Sequence, residues 1–220
     1  MTIIAEIGQS HLGSVERAYW LIEAARQNGA DLVKSQLFNA QSLYGKQVEG
    51  ELTFDQAKKM FDFGEENGIE VFFSVFDVER VRWCEEIGVS RYKVACSQNQ
   101  NFELRDAIRE TGKECLVSYE STYELERTNT GLICVPRYPA WASDVEWVNI
   151  EWGLDYDGYS DHTIGIDAAM MAVARGCELV EKHFALSHSK ETDGPDAEWS
   201  ATPEEMRELV RFAKVVEEVL

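Results

Sequence analysis

Basic residues are scarce in this chain. It carries 21 Lys and Arg against 40 Asp and Glu, a formal net charge of −19 over 220 residues. That field repels nucleic acid and anionic membrane, so neither is expected as a partner. It also repels an anionic small molecule unless the site that takes it is locally basic. Long apolar runs are missing as well: no stretch approaches a membrane span. The start, Met1-Thr-Ile-Ile-Ala5, lacks the charged region and cleavage site of a secretory signal. A soluble cytoplasmic protein is expected. Cys84, Cys96, Cys115, Cys134 and Cys177 are odd in number, scattered and never spaced CxxC, which excludes a disulfide framework and a zinc cluster. They are expected as reduced, mostly buried thiols. No GxxxxGK[ST] occurs, and Gly8 and Gly13 do not form a dinucleotide fingerprint.

What is present is one pattern, repeated: a helix-ending glycine followed by a short apolar strand. It occurs at Asn28-Gly29, Asn67-Gly68, Ile87-Gly88, Thr111-Gly112, Thr130-Gly131 and Arg175-Gly176. Glycine supplies the left-handed residue that stops a helix and turns the chain. With the N-terminal run Ile3–Ile7 and the run through Tyr159, the spacing predicts eight strands, beginning near residues 2, 31, 70, 91, 114, 131, 155 and 178. The intervening segments carry helical periodicity: Tyr19, Ile22 and Ala25–Arg26 on one face, Phe54, Ala57, Met60, Phe61 and Gly64 on another. Thr53 with Gln56, and Thr202-Pro203-Glu204-Glu205, read as helix starts. The segments 121–130 and 140–153 read as short or irregular. Eight alternating units favour a (β/α)8 TIM barrel, a compact single domain over residues 1–220, above an open doubly wound sheet.

Polar residues recur where these apolar strands end: Glu6, Lys34 with Gln36, Ser74, Lys93, Ser118, Tyr138 beyond Cys134, Ser160 with His162, and Glu181 with His183. Charge is disfavoured in a packed barrel interior, and barrel enzymes work at the C-terminal ends of their strands. Two chemistries separate. Lys34, Lys93, Ser74, Ser118 and Ser160 are donors suited to phosphate or carboxylate. His162, His183, Glu6, Glu181 and Asp196 suit a divalent cation and proton transfer, with Asp161 a neighbour of the first histidine. His11 reads as structural and His188, among Ser187, Ser189 and Lys190, as a surface residue.

The order of motifs resembles the catalytic barrel of sialic acid synthases, the N-acetylneuraminate synthase family. The matching pieces are Ala5-Glu-Ile-Gly-Gln-Ser-His-Leu-Gly13, Val33-Lys-Ser-Gln36, Phe73-Ser-Val-Phe-Asp77, Tyr92-Lys-Val94 and Val117-Ser118. Further on are Tyr138-Pro139, Gly158-Tyr-Ser-Asp-His-Thr163, Glu181-Lys-His-Phe184 and Gly194-Pro-Asp196. The resemblance implies condensation of phosphoenolpyruvate with an N-acetylated amino sugar of the N-acetylmannosamine type, giving a nonulosonic acid and phosphate. It implies Mn2+ or Mg2+ on His162 and His183. Phosphoenolpyruvate contacts fall on Lys34, Lys93, Ser118 and Ser160. Gln36 and Ser74 are implied in substrate binding, and Tyr138 lies on the sugar side. Glu6, Glu181 and Asp196 remain equal candidates for proton handling.

The chain departs from the family pattern at Lys93-Val-Ala-Cys96-Ser97-Gln98, where a phosphate-binding serine and a substrate-facing acid are replaced. Further departures are Ser118-Tyr-Glu-Ser121, Ser74-Val-Phe76 and Pro136. The family's C-terminal antifreeze-like domain is expected to be absent after Leu220, which leaves open a homodimer or a separate chain that supplies the lid. Two other readings stand beside the synthase: a ligand-binding or regulatory barrel without turnover, and a Schiff-base pyruvate aldolase using Lys34 or Lys93.

Overall fold

The computed structural model of the protein describes residues 1–120 and 129–219. Ser121 and most of the 121–130 segment therefore lie outside the described residues. Eight parallel strands close into a barrel in chain order, β1 Thr2–Gly8, β2 Leu32–Leu37, β3 Glu70–Val75, β4 Arg91–Val94, β5 Glu114–Tyr119, β6 Thr130–Cys134, β7 Gly158–Asp161 and β8 Leu179–His183. The last strand pairs back onto β1. The (β/α)8 expectation holds, and most strands begin within a residue of the predicted start. The seventh starts later, at Gly158, because residues 153–155 form a turn.

Helices wrap this barrel: α1 Val15–Gln27, α2 Ala40–Tyr44, α3 Phe54–Asn67, α4 Val78–Ile87, α5 Phe102–Thr111, α6 Asp167–Ala174, α7 Lys190–Asp193 and α8 Pro203–Val219. Thr53 and Gln56 form the expected capping box at the start of α3. Thr202 and Glu205 bond reciprocally before α8, with Pro203 in its first position. Gly68 ends α3 at φ 73°, a conformation that penalises a side chain. Gly131 differs from the prediction: it lies inside β6, not before it. In α1 the buried face is Ala18, Leu21, Ile22 and Ala25, and Arg26 is exposed. The predicted stripe is therefore rotated, because Ala18 and Leu21 pack inward where Tyr19 only half does. Residues 140–153 hold two short 3-10 turns and no α-helix. Among the described residues no helix is long and apolar enough to cross a membrane.

Strand alternation builds the site. Side chains two apart share a face, so on five strands an inward apolar residue lies directly under a residue of the pocket wall. Ile4 lies under Glu6, Leu32 under Lys34, Phe72 under Ser74, Leu116 under Ser118 and Leu132 under Cys134. Ile4, Leu32, Phe72, Leu116 and Leu132 form a small sealed cluster inside the barrel. A much larger core, which includes Val33, Val71, Phe73, Val117 and Val180, packs between sheet and helices. The small inner cluster is the floor on which the polar layer stands.

Candidate active site

Register then sets the neighbours. Glu6 pairs with Lys34 on one side and with His183 on the other. Gln36 pairs with Ser74, Ser74 with Lys93, and Ser160 with both Cys134 and Glu181. One pocket at the C-terminal ends of the strands is lined by Glu6, Lys34, Gln36, Ser74, Lys93, Ser118, Tyr138, Ser160, His162, Glu181 and His183. It holds about 600 Å³ of atom-free space, its open mouth included. Asp196 stands just beside this group, its carboxylate 3.8 Å from Nδ1 of His183. The sequence-predicted residues therefore converge.

The charged groups form one chain. Lys34 Nζ lies 2.6 Å from Glu6 Oε2 and 3.5 Å from Glu181 Oε2, and donates to Ser74 Oγ at 2.6 Å. Lys93 Nζ donates to Ser118 Oγ at 2.6 Å and lies 3.7 Å from Glu181 Oε1. Ser160 Oγ donates to the same Glu181 oxygen at 2.8 Å, and Gln36 Nε2 donates to Glu6 at 2.9 Å. Two ammonium groups thus face two carboxylates, all of them buried.

Environment separates the three acids that the sequence left equal. Burial works to raise Glu181, but Lys34 and Lys93 outweigh it and bring its pKa down to about 2. Glu6 moves the other way: burial dominates, and neighbouring Glu181 adds to it. Asp196 is pushed up to about 6, first by burial and then by Glu6. Burial also opposes charge on both lysines. For Lys34 the two glutamates overcome it and raise the pKa; for Lys93 burial wins and the pKa falls.

The imidazoles are neutral. Burial lowers His162 to about 4 and takes His183 well below the ordinary histidine value, with His162 adding to the effect. His162 donates from Nδ1 to the Val135 carbonyl at 2.7 Å, which leaves the Nε2 lone pair turned toward Tyr138 and Ser160. The two rings stand 5.7 Å apart between centroids. Among the described residues no three His, Cys, Asp or Glu side chains come together as a ligand set. An ion on the two histidines would need the rest of its shell from water or ligand.

Gly8 shapes the same corner. Its φ is 45°, and a Cβ there would stand 3.1 Å from Asp196 Oδ2 and 3.3 Å from Glu6 Oε1. A side chain at this position would be both strained and crowded against the two raised acids.

Asp161 corrects the sequence reading. It does not line the pocket; it points to the outer face of β7 and pairs with Lys182 at 3.1 Å, both side chains fully buried. Its Oδ1 accepts from Thr163 N–H at 2.8 Å and from the Tyr159 hydroxyl at 3.1 Å, and Lys182 donates to the Thr163 carbonyl. Strand alternation carries the signal that was missed, since Asp161 and Lys182 alternate with inward Ser160, His162, Glu181 and His183. His188 is exposed, as expected. His11 is buried, its Nδ1 accepting from Gly13 N–H at 3.0 Å. No disulfide joins the cysteines; Cys84, Cys134 and Cys177 are buried and Cys96 and Cys115 partly so.

A family model described as the NeuB family matches residues 48–220. The N,N'-diacetyllegionaminic acid synthase of Legionella pneumophila is 30% identical over 99% of the chain and 72% of its own length. Human N-acetylneuraminate-9-phosphate synthase is 30% identical over 99% of the chain and 70% of its length. Among solved structures, the sialic acid synthetase of Leptospira borgpetersenii, in complex with citrate, superposes with a TM-score of 0.90. It is 28% identical over 99% of the chain and 84% of that chain.

Proposed function

The chain belongs to the NeuB family, and from that membership and the pocket chemistry we propose that it condenses phosphoenolpyruvate with an open-chain N-acetylated amino sugar. The products are a nonulosonic acid and phosphate. The observation that carries this reading is the convergence of Lys34, Lys93, Ser118 and Ser160 beside two neutral imidazoles in one pocket. The first set offers charge-assisted donors to an anion. The second fits a divalent ion, Mn2+ or Mg2+, held by His162 and His183. Bound there, the ion would supply Lewis-acid polarisation of the acceptor's aldehyde.

The chain's own residues account for the rest. Lys34 and Lys93 offset the donor's phosphate and carboxylate charge, and the hydroxyls of Ser74, Ser118 and Ser160 orient it. The donor's methylene carbon attacks the aldehyde carbon, water adds at the former enol carbon, and phosphate leaves. Glu181, held down by Lys34 and Lys93, is the anion that bridges the two lysines. Asp196 and Glu6, with raised pKa values, are the groups suited to carry a proton near neutrality. Gln36 fixes the Glu6 carboxylate, and Tyr138 stands at the mouth on the sugar side. The test is phosphate release from phosphoenolpyruvate with Mn2+ across a panel of amino sugars. Release with at least one N-acetylated aldose supports the reading, and none above background with any of them removes it.

A further inference from the structure

The first and last strands, β1 and β8, meet at one seam of the barrel, and the loops that follow them meet at its C-terminal end. Arg17, in the first turn of α1, joins the two loops. Its Nη2 lies 3.0 Å from Asp193 Oδ1, donates to the Thr192 carbonyl at 2.5 Å, and reaches the Ser10 carbonyl at 3.4 Å. Asp193 is 3% exposed, and its second oxygen accepts from Ser187 Oγ at 2.6 Å and from Thr192 Oγ1 at 2.8 Å. An exposed ion pair holds little; in this one the acid is buried and both its oxygens are engaged. The loops also touch at Gly194, where a Cβ would stand 3.1 Å from Leu12 Cδ2 and 3.3 Å from the Gln9 carbonyl oxygen.

Asp196 follows two residues later. Among the described residues its carboxylate accepts no hydrogen bond, and the neutral His183 ring has Nδ1 3.8 Å away. Its main-chain carbonyl, by contrast, accepts from the N–H groups of Trp199 and Ser200. The backbone of the loop therefore sets where this acid stands. Downstream the loop is fixed on β8, since Ala201 N–H donates to the His183 carbonyl at 2.7 Å. Upstream it is fixed by Arg17. We propose that Arg17 is a positioning residue: through Asp193 it anchors the upstream end of the loop that holds Asp196 against Glu6 and His183. The anchoring stands without the proposed function; its effect on turnover rests on the proton role given there to Asp196.

The experiment is hydrogen exchange by mass spectrometry on the folded protein, followed by steady-state kinetics. Arg17→Met keeps the apolar stem and removes the guanidinium. Exchange over residues 190–200 should quicken about tenfold while β3 and β4 are unchanged. Arg17→Lys, which restores a cation to Asp193, should recover most of the protection. Asp193→Asn should loosen the same residues, and adding Arg17→Met to it should cost little more. Should Arg17→Met not fold, Asp193→Asn carries the test. Unchanged exchange over 190–200, or equal acceleration in every strand, overturns the proposal. In the kinetics, kcat should fall about tenfold to a hundredfold, with the KM for phosphoenolpyruvate within about twofold. A loosened loop with full kcat, where Asp196→Asn is inactive, overturns the positioning role. Full kcat in Asp196→Asn refutes the proton role of that acid instead, and the anchor is then read from exchange alone.

Discussion

The Tyr138 ring lies against that of His162, centroids 4.2 Å apart, with its hydroxyl 3.2 Å from Nε2. The lone pair that a divalent ion would use is thus already engaged by a phenol. An ion binding at His162 has to displace that hydrogen bond, whose net worth is about 1 kcal/mol. Tyr138→Phe removes the competitor, so Mn2+ affinity should rise about fivefold, as read by the free-ion signal in electron paramagnetic resonance. Alanine at His162 or His183 should abolish most of the binding. Unchanged affinity in both histidine variants would refute the metal assignment.

Lys93 is the cleaner of the two lysines to remove. Lys34 holds both Glu6 and Glu181, and its loss leaves two buried carboxylates short of their partner, at a stability cost of about 3–5 kcal/mol. Lys93→Ala leaves Glu181 paired with Lys34. Each charge-assisted bond is worth about 1.5–3 kcal/mol, so phosphoenolpyruvate binding should weaken by about one to two orders of magnitude. Lys58 is engaged with Asp62 on the exposed face of α3, and Lys58 and Lys59 serve as controls with little expected effect. Titration calorimetry gives the comparison directly.

Borohydride tests the imine route. Lys34 is held as an ammonium by two carboxylates, which removes the lone pair an imine needs; Lys93, with a lowered pKa, is the more available amine. Treating the protein with pyruvate and borohydride should leave its mass unchanged. A pyruvyl adduct on Lys93 would replace the synthase mechanism with an aldolase one.

Asp196 should set a limb of the pH–rate profile. Its pKa near 6 places its titration within the working range, while Glu181, near 2, stays ionised across it. In Asp196→Asn the limb near pH 6 should disappear along with most of kcat. A limb that survives this change belongs to another group, with Glu6 next in line.

His11 should contribute a loss of fold stability in acid between about pH 6.5 and 4. Burial lowers His11 to about 4, so over this interval the unfolded chain binds a proton that the folded chain refuses. The sign follows: stability rises with pH through the window and is lost as pH falls through it. One such group accounts for up to about 3 kcal/mol at the acid end. His11→Asn, which keeps an acceptor for Gly13 N–H, should remove one proton's share of the pH dependence of the urea midpoint over that range, leaving the shares of His162 and His183 and the opposing ones of Asp196 and Glu6.

Much of this site was legible because strand alternation and barrel closure are strict rules. Six glycine-to-strand transitions and two further apolar runs located the strands, and polar residues at their ends converge once the sheet closes. Asp161 shows where the reading failed: adjacency to His162 was taken for proximity in space, and a step of one residue points to the opposite face. Ala18 and Leu21 on α1 failed differently, because half-buried Tyr19 drew the stripe off centre. The division among Glu6, Glu181 and Asp196 was not readable at all, since it depends on which carboxylate two lysines from other strands reach.

Lys34 and Lys93 meet Glu6 and Glu181 in the pocket, so the two basic groups are already largely matched by acids in a strongly acidic molecule. A polyanion entering it competes with Glu6 and Glu181 for the two lysines, so a proton or a cation that comes with it favours its binding. Anion and cation occupancy are therefore reciprocal: whatever factor one adds to the affinity of the other, it receives back. Toward the proposed donor the protein would then act as an ion-pair receptor, with order of addition deciding the path to the ternary state but not its free energy.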